Sequence, residues 1–450
     1  MQFATTISRV SLLAVGIAGA LACGQAHAAA FQLKENSAKG LGRAFAGSIS
    51  APGDASVVAT NPAAMSGLDG RQVQADLSVI SFSADFEGEG SYLNGFGGPI
   101  GGSDGGDAGK VAPVPAAYFH VPFGEDDNMH FGMSLTAPFG FATEYDNDWI
   151  GRYNATKTEL EAVDLGVAFS YDVNPYVSFG ASVFVEHLSI ELANAVDFGT
   201  ILYTGGAAQL GFAPGNADGY ATIKGSNNEI GFTIGALLSP SEDTQIGLSY
   251  RSKVEHEIDD GKADFTVPAN AAAVLAAVRP GWFVDAGGSA TVTLPAVATL
   301  SVTHKVNDKW SVMGDLSRTA WKPAFDTVIV DYASQQDDTV LEFGYDDTTF
   351  FSLGAEYRYS NTLTFRGGVA YDETPTSYAH RDVRVPDETR KWLSLGLSWT
   401  PSESMEYNVG YTHLFVNDAN VSTTSSTANH MIGAFDVGGD ILAVSVNYKF

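Results

Sequence analysis

Asp440-Ile441-Leu442-Ala443-Val444-Ser445-Val446-Asn447-Tyr448-Lys449-Phe450 closes the chain. Strand side chains alternate with period two. Leu442, Val444, Val446, Tyr448 and Phe450 therefore share one face, and Ala443, Ser445, Asn447 and Lys449 the other; Ile441 alone breaks the contrast. About ten residues, apolar on one side and ending on an aromatic carboxyl terminus, suit the closing strand of a bacterial outer-membrane barrel. An edge strand of a soluble sandwich would show the same alternation.

The other end of the sequence points to export. Arg9 is the only charged side chain before the apolar run Val10–Ala22, and Ala26-His27-Ala28 fits an A-x-A cleavage site. Residues 1–28 read as a secretory signal peptide, cleaved after Ala28. Cys23, preceded by Ala20-Leu21-Ala22, offers lipoprotein processing as the rival. Cleavage after Ala28 removes the single cysteine, which leaves the mature chain no disulfide. The sequence carries 24 basic against 52 acidic side chains, a net charge of −28, and losing Arg9 deepens it. Such a surface is unsuited to nucleic acid or other polyanions. It suits solvated acidic loops, which divalent ions would bridge to lipopolysaccharide. No later apolar run approaches the eighteen or so residues of a spanning helix. Mean hydropathy is near zero, as expected where only alternate strand residues face lipid. The 49 glycines suit bent, closely packed strands; 18 Tyr and 27 Phe suit interfacial girdles.

Alternation recurs from about residue 70. Val163, Leu165, Val167, Phe169 and Tyr171 alternate with Ala162, Asp164, Gly166, Ala168 and Ser170. Val177, Phe179, Ala181, Val183 and Val185 alternate with Ser178, Gly180, Ser182 and Glu186, with Phe184 the exception. Further sets lie at 362–372, 393–399 and 405–415. Short turns at 124–127, 172–175, 239–242, 306–308, 359–361 and 401–403 separate long connections at 87–109, 141–157, 192–225, 258–289, 319–347, 374–389 and 417–437. About six turns and seven loops in strict alternation give about fourteen strands, with both termini on the short-turn, periplasmic side. The fold class read here is all-β: a 14-stranded antiparallel transmembrane β-barrel over 69–450. Residues 29–68 are rich in small and turn-forming residues and lack alternation; they read as a compact N-terminal hatch plugging the barrel.

Chemistry is absent from the pattern. The nine histidines form no H-E-x-x-H or paired metal spacing. His187 and Ser189 lack the third group a hydrolytic site needs. Gly101–Lys110 has Asp104 where a phosphate loop needs Gly, and Val111 where it needs Ser or Thr. The expectation is no enzyme, no cofactor and no metal.

The residues of the amino-terminal segment carry a resemblance. Phe31-Gln32-Leu33-Lys34-Glu35-Asn36-Ser37, Gly40-Leu41-Gly42-Arg43-Ala44-Phe45-Ala46-Gly47, Gly53-Asp54-Ala55 and Asn61-Pro62-Ala63-Ala64-Met65 occur in order. Together with 138–145, 148–153, 247–253, 263–265, 386–390 and 392–394, this series resembles the FadL family of outer-membrane transporters for long-chain fatty acids and other hydrophobic compounds. The resemblance covers essentially the whole mature chain. It implies a hatched fourteen-stranded barrel and passive transport in three steps. Cargo is captured in a groove between the third and fourth extracellular loops, held in a pocket against the hatch, and released sideways beside a kinked third strand.

The sequence supplies parts for each step. Leu202, Tyr203, Leu210 and Phe212 in the third loop, and Val274, Leu275, Val278, Arg279, Trp282 and Phe283 in the fourth, are the groove candidates. Large apolar residues in exposed loops either bind something or pack together; both readings stand. Ala271–Arg279 is expected to form a short helix ended by Pro280. Phe31, Asp54, Asn61, Pro62 and Ala63 are the hatch and gating candidates. Gly132, Pro138 and Gly140 weaken pairing in the third strand and mark the lateral exit. A buried carboxylate needs a cationic donor, and Arg152, Arg318 and Arg366 are candidates; for Arg366 a lumen ion pair with Glu356 or Asp372 is the simpler reading. The expected cargo is long-chain fatty acid, with aromatic or alkane hydrocarbons, or a non-specific porin, as alternatives. The expected surroundings are outer-membrane lipid and lipopolysaccharide, with the protein acting as a monomer.

Overall fold

The computed structural model describes residues 32–93 and 98–450. The signal peptide and Phe31 lie outside the described residues. Fourteen strands form one closed antiparallel barrel. They are β1 Gln72–Tyr92, β2 Val111–Phe123, β3 Met129–Glu144, β4 Lys157–Asn174, β5 Val177–Asp197 and β6 Asp218–Ser241. Then come β7 (Thr244–Arg251 continued by Val254–Thr266), β8 (Ala286–Leu294 and Val297–Lys305), β9 (Trp310–Thr319 and Thr327–Tyr332) and β10 (Thr339–Glu342 and Thr348–Arg358). The last are β11 Leu363–Asp372, β12 Arg390–Ser402, β13 (Met405–Val416 and Ala419–Thr424) and β14 Asn429–Lys449. β14 closes on β1 without a break, from Gln72 opposite Lys449 to Tyr92 opposite Asn429.

Strand parity sorts the side chains as the alternation requires. Leu442 and Val444 face out and are exposed, while Ala443, Ser445 and Asn447 are buried inside. The two residues that break alternation have a use inside. Ile441 packs in the same cluster as Leu41 and Phe45. Phe184 lies under the Arg251 guanidinium, 4.0 Å from its ring centroid. Trp310 pairs with Tyr357 and Trp399 with Tyr407 at the short-turn rim, as an interfacial girdle.

The long connections are shorter than the sequence suggested. β5 and β6 pair continuously to Asp197 opposite Asp218, so 192–225 contracts to 198–217. β14 begins at Asn429, inside the expected connection 417–437. A strand crosses the hydrocarbon in about 9–11 residues, whereas β6 has 24. The surplus stands above the membrane, where alternation is no longer demanded but the backbone still needs its hydrogen bonds.

Residues 32–68 fill the lumen. They carry two short helices, α1 Ala38–Leu41 and α2 Val57–Thr60, and a 3₁₀ segment Pro62–Gly67. Ser37 caps α1, its Oγ accepting from Gly40 N at 2.9 Å and donating to Asp54 Oδ2 at 2.6 Å. The segment is bonded to the wall on every side. Leu33 N donates to Pro138 O on β3 (2.8 Å), Ala38 N to Asp76 on β1 (2.8 Å) and Gly47 N to Asp315 on β9 (2.6 Å). Lys39 pairs with Glu406 on β13 at 2.5 Å and Arg43 with Glu356 on β10 at 2.6 Å. Glycines let backbone meet backbone: a Cβ at Gly396 would lie 2.7 Å from the Gly42 Cα, and one at Gly368 only 2.3 Å from the Arg43 carbonyl.

Candidate functional site

The two outer loops meet. α3, Phe198–Leu202, is capped by Asp197, whose Oδ1 accepts from Thr200 N at 2.8 Å. α4, Ala269–Val278, lies against it. Leu202, Phe212 and Leu275 are buried at their junction with Val274 beside them. Phe283 stacks edge-on to Phe198 at 4.9 Å and Phe265 at 5.6 Å. Packing thus consumes half of the groove candidates, which bury one another where the two loops meet. Leu210 and Val278 remain exposed, 66 % and 57 %. Tyr203 and Trp282 are half-buried, and the Arg279 guanidinium sits 4.3 Å over the Trp282 ring.

Below the loops lie three lumen cavities. One of about 70 Å³ is walled by Leu160, Ile258, Val292, Phe325 and Phe343. A wider one of about 420 Å³ carries Asn154, Tyr332, Arg381, Ser422 and Thr424. The third, about 130 Å³, lies against residues 32–60 and is lined by Leu33, Lys34, Ile49, Pro138, Arg251 and Phe350.

The wall is incomplete beside this third cavity. β2 and β3 pair only from Ala117 opposite Leu135 down to Phe123 opposite Met129. Above Leu135, β3 still pairs with β4, but a register shift between Thr136 and Phe139 puts one extra residue on β3, a bulge. On the opposing stretch of β2, Pro113 and Pro115 cannot donate to a neighbour. Pro138 and Gly140 stand on this unpaired flank. Gly132 does not: it pairs with His120 below the gap, and a Cβ there would meet Val58 Cγ1 at 2.7 Å. Gly132 therefore serves hatch packing.

The hatch candidates are structural anchors. Asp54 accepts from Ser37 and from Gln74 Nε2 at 3.0 Å. Burial works against its charge, yet Lys39 and Arg43 hold its carboxyl below the ordinary value. Asn61 Nδ2 donates to Ile49 O at 2.9 Å and to Ala236 O on β6 at 3.3 Å. Pro62 and Ala63 rest on β5, where a Cβ at Gly180 would lie 2.4 Å from Ala63 N.

The three arginine candidates part ways. Arg152 is locked to Asp218 (2.9 Å), Gly101 O and Trp149 O. Arg366 is inside and pairs with Glu356 at 2.7 Å, as the simpler reading had it. Arg318 shares outward parity with Val312 and Leu316, is exposed, and donates to Thr349 Oγ1 at 2.9 Å. It faces away from the lumen, so it offers no cation to internal cargo.

Sequence reasoning missed two lumen cations. Arg251 lies under the pocket wall, bound to Asp164 at 2.6 Å and Glu186 at 2.5 Å. Lys34 Nζ lies 4.2 Å from the Phe350 ring centroid and has no ion pair among the described residues. Burial pulls its ammonium below the ordinary value, opposed by the more distant Asp372 and Asp315. No spacing signal marks either; only the lumen parity of Arg251 with Ser249 was readable.

Beside Lys34, burial raises the Glu35 carboxyl from 4.5 to about 7, and its Oε2 has no hydrogen-bond partner. A folded value above the unfolded one means the seated hatch binds the extra proton, so its stability is full below about 4.5 and falls as pH rises through 7. Brief openings in a planar bilayer should therefore be more frequent at pH 8 than at pH 5.5. Glu35→Gln should weaken the dependence; an unchanged pH response in that variant would rule Glu35 out.

A closed barrel with a lumen-filling amino-terminal segment, lumen cavities and a local wall gap defines a hatched outer-membrane transporter. Residues 19–450 match the family described as outer membrane protein transport protein (OMPP1/FadL/TodX), and the chain belongs to that family. Outer membrane protein P1 of Haemophilus influenzae is 30 % identical over 98 % of this chain and 99 % of its own. A long-chain fatty acid transport protein of Escherichia coli O6:H1 is 29 % identical over 89 % of this chain and 90 % of its own. A Pseudomonas aeruginosa FadL homologue of known structure superposes with a TM-score of 0.86 at 26 % identity, covering 94 % of this chain and all of that one. The Pseudomonas putida toluene transporter TodX shares the fold, with a TM-score of 0.64 at 20 % identity over 94 % of this chain and all of TodX. The protein resides in the outer membrane and belongs to a family that moves hydrophobic compounds across it.

Proposed function

We propose that this chain carries long-chain fatty acids inward by passive diffusion. The carrying observation is Lys34: an ammonium in a pocket of mixed polar and apolar lining, beside the wall gap, with a ring against it and no carboxylate in ion-pair contact among the described residues. A half-buried cation without a counter-ion favours an anionic guest. The exposed Leu210 and Val278, with Tyr203, Trp282 and Arg279, form the capture surface. Cargo then descends past the Leu160–Phe343 cavity to the pocket at Lys34. Release runs sideways at the Pro138 bulge once the Leu33–Pro138 hydrogen bond parts. The fatty-acid transport proteins among the relatives support this cargo; the toluene transporter among the structural neighbours keeps hydrocarbons as the alternative.

Uptake of labelled oleate and labelled toluene by cells expressing the wild type or Lys34→Met separates the two. Oleate uptake should fall about tenfold in the variant, the loss of one charge-assisted contact, with toluene unaffected. Wild-type cells that take up toluene but no oleate would overturn the fatty-acid reading.

A further inference from the structure

Two histidines face each other at the short-turn end of the lumen. His120 on β2 and His130 on β3 are buried, 0 % and 4 % exposed. His120 Nε2 lies 3.1 Å from His130 Nδ1. The ring centroids are 5.3 Å apart and the ring planes differ by 23°. The rings therefore meet edge to edge, with these two nitrogens aimed at each other. Each outer nitrogen also has a partner. His120 Nδ1 lies 3.0 Å from the Gly70 carbonyl oxygen, where the hatch joins β1, and His130 Nε2 lies 3.1 Å from Asp172 Oδ2 on β4.

Counting protons along this row exposes a conflict. A neutral imidazole carries one N–H and one lone pair. The Gly70 carbonyl can only accept, and so can an ionised Asp172, whose Oδ1 already accepts from Ser178 Oγ at 2.6 Å. Two neutral rings that both donate outward leave two lone pairs pointing at each other in a buried site, which is repulsive. Keeping all three contacts takes three protons, one more than two neutral imidazoles carry. Wherever that third proton sits, on a ring or on the carboxylate, the row is then electrically neutral. Among the ionisable groups nearby, Asp172 is the one in contact with the pair. Asp69 at the end of the hatch pairs with Lys449 on β14 at 3.1 Å, Arg71 is exposed, and the Tyr118 hydroxyl donates to Asn36 O at 2.7 Å.

A second arrangement of the same groups is built in. Gln72 stands opposite His120 in the β1–β2 register, and Ser170 opposite His130 in the β3–β4 register. Both are buried, and Gln72 Nε2 and Ser170 Oγ have no hydrogen-bond partner among the described residues. Side chains directly opposite on one face have Cβ atoms about 4.5–5.5 Å apart. Each histidine thus has an unused donor within reach for the lone pair it gains when the third proton leaves.

We infer that His120 and His130 form a proton-operated clasp between β2 and β3. With the third proton bound the clasp is shut, and it ties the end of the hatch at Gly70 through β2 and β3 to Asp172. The Asp172 side chain is partly exposed at the periplasmic rim and gives the proton its way out. When the proton is lost, the rings part and turn to Gln72 and Ser170. β2 and β3 pair only from Ala117 opposite Leu135 to Phe123 opposite Met129, directly below the wall gap. The clasp therefore sets how firmly the foot of that gap is held, whichever cargo the barrel carries.

The test is nitrogen NMR of the mature protein in detergent micelles, with isotopically labelled histidine rings, titrated from about pH 5 to about pH 8.5. His120→Gln and His130→Gln assign the signals. In the wild type, His120 Nε2 and His130 Nδ1 should respond together at one midpoint, while His120 Nδ1 and His130 Nε2 stay protonated throughout. Asp172→Asn should move that midpoint down by at least about one pH unit, a tenfold loss of proton affinity. Gln72→Leu, which removes the alternative donor, should move it up. Hydrogen exchange of the 117–123 peptide, corrected for the intrinsic effect of pH, should be at least about threefold faster above the midpoint than below it, and this step should vanish in His130→Gln. Separate midpoints for the two rings, or two neutral rings at pH 5, would overturn the inference. So would a common midpoint with no exchange step, since the pair would then hold a proton without working a clasp.

Discussion

Gly368→Leu should turn a nearly silent protein into a conducting one. Wild-type protein in a planar bilayer should pass little steady current, because residues 32–68 occupy the lumen and are bonded to β1, β3, β9, β10 and β13. A Cβ at Gly368 would lie 2.3 Å from the Arg43 carbonyl carbon and oxygen, a contact between backbones that no rotamer relieves. Overpacking of this kind costs about 1–3 kcal/mol, and the cost falls on the partner able to move. β11 is held in register by β10 and β12, whereas the hatch is held by separate hydrogen bonds and ion pairs. The hatch therefore shifts, the Arg43–Glu356 pair loosens, and a steady ion current appears. Gly367→Leu is the control: its added Cβ meets nothing nearer than 3.8 Å, so the current should match the wild type. A large steady current in the wild type would instead make the protein an open porin, and a silent Gly368→Leu would mean the segment is not the plug.

Deleting Pro138 should nearly abolish delivery without abolishing binding. Between Thr136 opposite Asp164 and Phe139 opposite Ala162, β3 spends one residue more than β4. Removing that residue restores an unbroken ladder, realigns the upper half of β3 and removes the acceptor of the Leu33 N–H. If cargo leaves through the unpaired flank between β2 and β3, oleate uptake should fall at least about tenfold. Heat-modifiable mobility on a denaturing gel and oleate binding to purified protein should stay at wild-type levels. Pro138→Ala keeps the extra residue and should retain most of the uptake. Full-rate uptake by the deletion variant would rule out exit through the wall.

Much of the architecture was legible because a membrane wall imposes a strict two-residue rule. Leu442 and Val444 outside, Ala443 and Ser445 inside, follow from that rule alone. The short turns were also readable, since Gly124, Asn174-Pro175 and Asn307-Asp308 are turn formers between alternating runs. The upper strand ends were not. Above the lipid the outward face need not be apolar, so pattern fades while hydrogen bonding continues, and 192–225 read as one loop.

The candidate path was legible in kind more than in residue. That two apolar loops come together was foreseen; that Leu202, Phe212 and Leu275 would be spent on mutual packing was not, because an apolar side chain reads alike whether it meets cargo or a neighbouring loop. Arg366 kept its expected ion pair, and Pro138 stands at a real interruption of the wall. Arg318 was misplaced although it shares parity with Val312 and Leu316 on the same strand, which the two-residue rule puts on the outside.

The sequence by itself determined the barrel, its strand number, the amino-terminal plug and the family, since each rests on local periodicity, turn chemistry or an ordered motif. Tertiary structure alone decided which cations are free. Lys34 and Arg251 look alike in a sequence, but Arg251 is met by Asp164 and Glu186 from two other strands, while Lys34 is met by no carboxylate in ion-pair contact among the described residues. Whether a buried charge is neutralised depends on groups brought within about 4 Å by closure of the barrel, and no spacing along the chain records that distance.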